Sequence, residues 1–215
     1  FLLWVPALSL LAGVGFEILT SGFSSSRVKT AISVVTLALV LGLPVLIQKR
    51  ILFTMPVNEV TRMIYGLNPF SESLEIAQYI RDHTKKEDKI AVLGSEPQIY
   101  FYSQRKSATR HLYMYPLMEK HVYARKMQDE MIREIEGAQP KFVVMTKTAG
   151  TWVSTRPDFS PALKDWAQGY LKREYEIDGV ADLFSHKETL YRWGDQAQEY
   201  MPQSTHHLIL YKRRT

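Results

Sequence analysis

The stretch Ala124–Met145, ARKMQDEMIREIEGAQPKFVVM, decides the fold. Ala124, Met127, Met131, Ile135 and Ala138 recur three and four residues apart with Lys, Arg, Asp and Glu between them, so one helical face is apolar and the other charged. Gly137 lies near the end of that pattern and Pro140 stops it, because the residue before a proline is driven out of the helical region. Phe142 to Met145 is then a continuous apolar run, the pattern of a strand covered on both faces. An amphipathic helix feeding a buried strand is the repeating unit of an α/β domain.

The same unit stands upstream. Asn68-Pro69 supplies a cap and first-turn pair, Phe70, Leu74, Ala77 and Ile80 follow at helical spacing to Thr84, and Lys89–Leu93, KIAVL, reads as a second buried strand. Glu96 to Gln104 is expected to form a short helix, and Ala108 to Tyr115 a weaker strand with Tyr113 and Tyr115 on one face. Downstream, Trp152 to Phe159 reads as a loop and Ser160-Pro161 opens a helix to about Lys172. Tyr175–Phe184, Thr189–Trp193 and His207–Tyr211 are strands separated by turn residues. Helices and strands alternate first and strands cluster last, which predicts a three-layer-like α/β domain with a mostly parallel sheet and an antiparallel C-terminal edge.

Residues 1–53 are of another kind. Their charges are Arg27, Lys29, Lys49, Arg50 and Glu17, so the net charge of +5 divides into +3 there and +2 in the rest. From Thr30 to Ile47, TAISVVTLALVLGLPVLI, eighteen positions pass without a charge. Roughly 20 apolar residues cross about 30 Å of hydrocarbon, so this run is long enough to span, and Pro44 and Gly42 are tolerated where neighbours re-satisfy the backbone. Phe1 to Leu19 is a second such run, without the basic start and small-residue cleavage site of a secretory signal. The expected organisation is a transmembrane helical hairpin in 1–53 (about 1–19 and 30–48), a linker at 54–66 and an α/β domain at 67–215. Two basic residues stand on each side of the second span, so charge does not set orientation. A start at Phe1 is read as the mark of a fragment or processed product.

Composition excludes several classes. The chain has no Cys, which removes disulfides, Cys-ligated zinc and thiol nucleophiles. Balanced charge in the polar part gives no clustered basic surface for nucleic acid. The six His lack the spacing that sets two metal ligands on one helix face, and no G-x-S-x-G, Walker or G-x-G-x-x-G loop is present, so neither a metal site nor a catalytic residue is assigned. The best constellation is Gly94–Arg110, GSEPQIYFYSQRKSATR, because it follows the carboxyl end of the first strand, where open α/β sheets place ligands. There Glu96 could accept hydrogen bonds from sugar hydroxyls, Tyr100 and Tyr102 could stack on a ring, and Arg105 or Arg110 could hold a phosphate. For each of them the competing reading is structural: a helix cap, packed rings and solvated arginines.

Three segments carry a resemblance. They are YGLNPFSESLEIAQYIRDHT (65–84), DKIAVLGSEPQIYFYSQRKSATRHLYMYPLME (88–119) and MQDEMIREIEGAQPKFVVM (127–145), with LYRWGDQAQEY (190–200) and LILYKRR (208–214) fitting the same tail. Together they resemble the C-terminal extracytoplasmic domain of bacterial membrane glycosyltransferases of the GT-C architecture, the dolichyl-phosphate-mannose protein mannosyltransferase-like glycosyltransferase family 39. The resemblance implies a multi-pass protein of the bacterial cytoplasmic membrane with this domain in the periplasm. It implies transfer of a sugar from a polyprenyl-phosphate donor to an acceptor, by inverting displacement with a carboxylate upstream of Phe1 as base. No position here matches that carboxylate. The fragment would thus be an acceptor-selecting or supporting domain, inactive alone, without a cofactor of its own, with the bilayer and the lipid-linked donor as partners. Two other classes stay open: a membrane-anchored extracytoplasmic binding or sensor module, and a membrane-anchored α/β enzyme complete in itself.

Overall fold

A computed structural model of the chain describes residues 4–148, 152 and 162–214. Two units are distinguished by their internal contacts, Phe1–Pro56 and Val57–Thr215. The first contains α1 (Trp4–Ser21) and α2 (Ser26–Ile47), followed by one π-helical turn at Arg50–Thr54. Both α1 and α2 are long and apolar enough to cross a membrane. No residue of α2 is buried, and Val40, Leu41 and Leu46 are each more than three-fifths exposed. In water so continuous an apolar surface has no compensating contact, whereas hydrocarbon removes that cost.

The second unit begins with α3 (Val57–Tyr65) and α4 (Phe70–Asp82). It continues with β1 (Lys89–Leu93), α5 (Gln98–Ser103), β2 (Lys106–Ser107), α6 (Tyr115–Met118), α7 (Ala124–Ala138) and β3 (Phe142–Lys147). The last elements are α8 (Ala162–Glu174), β4 (Tyr175–Leu183), β5 (Thr189–Trp193), α9 (Asp195–Gln198) and β6 (His207–Arg213). The expected linker thus contains a helix, α3. The expected strand at 108–115 is also absent: β2 ends at Ser107, and the chain runs irregularly into α6. Of the expected loop 152–159 only Trp152 lies within the described residues, and the expected helix start at Ser160-Pro161 lies outside them.

The six strands form one sheet in the order β2-β1-β3-β6-β4-β5. Strand β1 pairs in parallel with β2 and β3, whereas β3–β6, β6–β4 and β4–β5 are antiparallel. The mostly parallel sheet is therefore corrected to a mixed one. The reason lies in β6, which enters between β3 and β4 instead of being added at an edge. Leu208 and Leu210 are fully buried, as a central strand requires.

Alternation along the strands builds two cores. Ala91, Leu93 and Val143 face α7 and α8, packing with Met131, Ile135, Leu163 and Ala167. Ile90, Val92, Phe142 and Val144 point to the other side, against Ile76, Ala77 and Ile80 of α4 and Ile99 of α5. The result is helix, sheet, helix in three layers. Strand β4 has a register shift between Ile177 and Gly179. A side chain at Gly179 would place its Cβ 2.5 Å from the Trp193 ring. Trp193 in turn stacks on Tyr79 of α4, with centroids 4.3 Å apart. Asp178 beside it accepts a hydrogen bond from the Tyr79 hydroxyl at 3.1 Å, and burial first, then that carboxylate, pushes the phenol up to about 12.

Candidate functional site

A cleft of about 430 Å³ opens at the carboxyl ends of β1 and β3. Its size is that of a small-molecule site. Strand β1 delivers Ser95 and Glu96, β3 delivers Thr148, and the turn before antiparallel β6 brings His206 to the same end of the sheet. Tyr65 ends α3, Phe70 starts α4, and Tyr113 and Tyr115 come from the segment entering α6. The lining therefore combines aromatic rings with polar side chains. Among the described lining residues there is no Lys or Arg.

Glu96 is the one carboxylate of that lining and is 4% exposed. Burial pushes its carboxyl up to about 7, partly opposed by Gln98, whose amide donates to Oε2. Gln98 is fixed by a second bond to the Ser73 hydroxyl at 3.1 Å, and Ser73 is fully buried on α4. The Ser95 hydroxyl is also buried and has no hydrogen-bond partner among the described residues. A carboxyl poised between its two states, beside an unpartnered hydroxyl, is costly to build in a core and useful in a binding site.

The other four candidates lie elsewhere. Tyr100 is buried in the core, where its hydroxyl accepts the Val92 amide proton at 2.8 Å. That amide lies on the side of β1 where β2 has already ended, so the phenol completes the ladder. Tyr102 is exposed on α5, edge-on to Phe101. Arg105 closes the end of α4: Nε donates to the Thr84 hydroxyl at 2.7 Å, and Nη2 to the carbonyls of Thr84 at 2.8 Å and Arg81 at 3.0 Å. Those carbonyls are the acceptors a helix end leaves open. Arg110 pairs with Glu134 of α7 at 2.6 Å and lines a separate groove with Lys89. Of the five, only Glu96 lies in the cleft.

The residues that sequence reasoning did not assign are Tyr65, Phe70, Ser95, Gln98, Tyr113, Tyr115 and His206. Ser95 and Gln98 fall inside the Gly94–Arg110 stretch, Tyr113 and Tyr115 alternate as on a strand face, and Tyr65, Phe70 and His206 carry no such signal in the sequence. Among the described residues no group of three or more His, Asp or Glu could hold a metal ion.

No curated protein and no solved structure matches the chain. The family model described as "Putative competence-induced protein Ccs4 C-terminal domain" matches residues 70–177, from the first residue of α4 to the third of β4. This overturns the resemblance to the GT-C glycosyltransferases of family 39, for the matching family is not one of them. The polyprenyl-phosphate donor and the periplasmic placement rested on that resemblance and lose its support. Matched over half of its length, the chain belongs to the family of the competence-induced protein Ccs4 C-terminal domain.

Proposed function

We propose that this chain is a membrane-anchored binding module whose cleft receives a small cation carrying an ammonium group. The observation that carries the reading is Glu96, a buried carboxyl pushed up to about 7, in a cleft lined by aromatic rings with no Lys or Arg among its described lining residues. Ionising Glu96 leaves a desolvated carboxylate with no Lys or Arg among the described lining residues, and an ammonium group supplies a counter-charge. Tyrosine and phenylalanine rings add attraction for a cation, worth about 0.5–2 kcal/mol when desolvated. An anion finds no Lys or Arg among the described lining residues.

Binding is favoured over turnover by the state of the hydroxyl. Ser95 and His206 share the lining with Glu96, but the Ser95 hydroxyl has no partner and His206 Nδ1 lies 3.1 Å from the Thr205 hydroxyl. Among the described residues no base is hydrogen-bonded to the Ser95 hydroxyl, the hydroxyl buried beside Glu96. The anchoring rests on α1 and α2, two helices of spanning length with exposed apolar side chains. The family's name adds a setting: its namesake is competence-induced, and we carry that to this chain as induction with competence, to be checked by transcript levels before and after induction.

The test is a titration of choline into the full chain in detergent at about pH 8, with methyl glucoside as the neutral comparison. Choline binding weakened tenfold or more in Glu96→Gln, with no such effect on the sugar, supports the reading. Equal binding of the two probes, or choline affinity unchanged in Glu96→Gln, overturns it.

A further inference from the structure

Helix α3 is amphipathic, yet it faces the wrong way for a helix of a water-soluble domain. At 100° per residue, Val57, Val60 and Ile64 fall on one side and Arg62 on the opposite side. In a soluble domain the apolar side would be covered and the arginine solvated. Here Arg62 is 8% exposed, whereas Val57 is 82% and Ile64 58% exposed and Val60 is half-buried.

The arginine is inside for a definite reason. Its Nη2 donates to Glu72 Oε1 of α4, and its Nη1 to the Asn68 carbonyl at 3.1 Å. Glu72 is itself 1% exposed and also accepts from the Thr189 hydroxyl of β5 at 2.6 Å. The buried pair thus fastens α3 to the domain by its polar side and leaves the apolar side outward.

We propose that the outward face of α3 docks on the lipid bilayer surface, with Val57 and Ile64 entering the headgroup boundary. Two further observations select lipid as the occupant. Val57 follows ten residues after Ile47, the end of an apolar helix of spanning length, so α3 starts within a short tether of where that helix would leave the membrane. Lys49 and Arg50 stand between them, and cations there suit anionic headgroups. The docking rests on the membrane anchoring proposed above. Because Tyr65 and Leu67 also line the cleft, it brings the cleft's rim to the headgroups.

The chain has no Cys, so single cysteines can carry a spin label without background. The full chain is reconstituted into vesicles of phosphatidylethanolamine and phosphatidylglycerol with labels at Val57→Cys, Ile64→Cys, Val40→Cys of α2 and Glu199→Cys. Oxygen and a water-soluble nickel chelate are the relaxing agents. Nickel accessibility at Val57 and Ile64 several-fold below that at Glu199, with oxygen accessibility raised as at Val40, is the expected result. Lipid exposure at Val40 with water exposure at Ile64 overturns the docking and leaves the anchoring intact. Water exposure at both overturns anchoring and docking together. Protection of Ile64 from both agents assigns the face to a protein partner and overturns the docking as well.

Discussion

Arg62 reaches from α3 into the domain and donates to the carboxylate of Glu72 on α4, both side chains being withdrawn from water. Breaking such a pair from one side leaves the other charge buried and uncompensated. Arg62→Ala is expected to destabilise the second unit by about 3–5 kcal/mol. The double variant Arg62→Met, Glu72→Leu should recover most of that loss, since it removes both charges. Thermal melts of the full chain in detergent compare the three proteins. A double variant no more stable than Arg62→Ala contradicts the account.

Gly179 and Trp193 make a second such relation, one of shape. A Cβ at Gly179 meets the indole ring at 2.5 Å and the Cβ of Leu210 at 3.2 Å. Overpacking of this kind costs about 1–3 kcal/mol. Gly179→Ala should therefore lower the melting temperature in the wild-type background and cost much less in a Trp193→Ala background. Equal costs in the two backgrounds would show that the indole is not what forbids the methyl group.

Tyr100→Phe tests whether the phenol completes the ladder of β1. The Val92 amide loses its partner at a buried position, which costs about 1–3 kcal/mol. Amide exchange at Val92 should speed up while its neighbours in β3 keep their protection. An unchanged rate at Val92 sinks the assignment.

The sequence made local elements legible and left their assembly hidden. Helix α7 and strand β3 were readable because Met131, Ile135 and the FVVM run encode their own periods. The insertion of β6 between β3 and β4 was not, since alternation says which residues are buried but not which strands are neighbours. Ala108 to Tyr115 looked like a strand, yet the Ala108 amide makes the last ladder bond, to the Ile90 carbonyl, and Glu134 then holds Thr109 and Arg110. Helix α3 is nine residues long and only Val57, Val60 and Ile64 mark its apolar side, too short a pattern to tell it from a linker. Glu96 was legible from its place just after β1, whereas Tyr65, Phe70 and His206 reach it only through tertiary structure.

Glu96 also makes stability depend on pH. The folded chain holds this proton up to about 7, whereas the ordinary carboxyl of the unfolded chain releases it near 4.5. Between those values the folded state binds more protons, so stability falls as pH rises through the window and levels off above it. The loss is on the order of 3 kcal/mol at most. Glu96→Gln should flatten this dependence and melt a few degrees above wild type at about pH 8. Identical pH profiles for the two proteins would mean that Glu96 is not held in its neutral form.

The most direct measurement is the number of protons released when choline binds at about pH 7. It is obtained by calorimetry on the full chain in buffers of different ionisation enthalpy. Near its midpoint Glu96 is partly protonated, and a bound cation must displace that proton to form the ion pair. The account predicts release of a fraction of a proton by wild type and none by Glu96→Gln, with weaker binding. Choline binding without proton release, or the same release from Glu96→Gln, would contradict it.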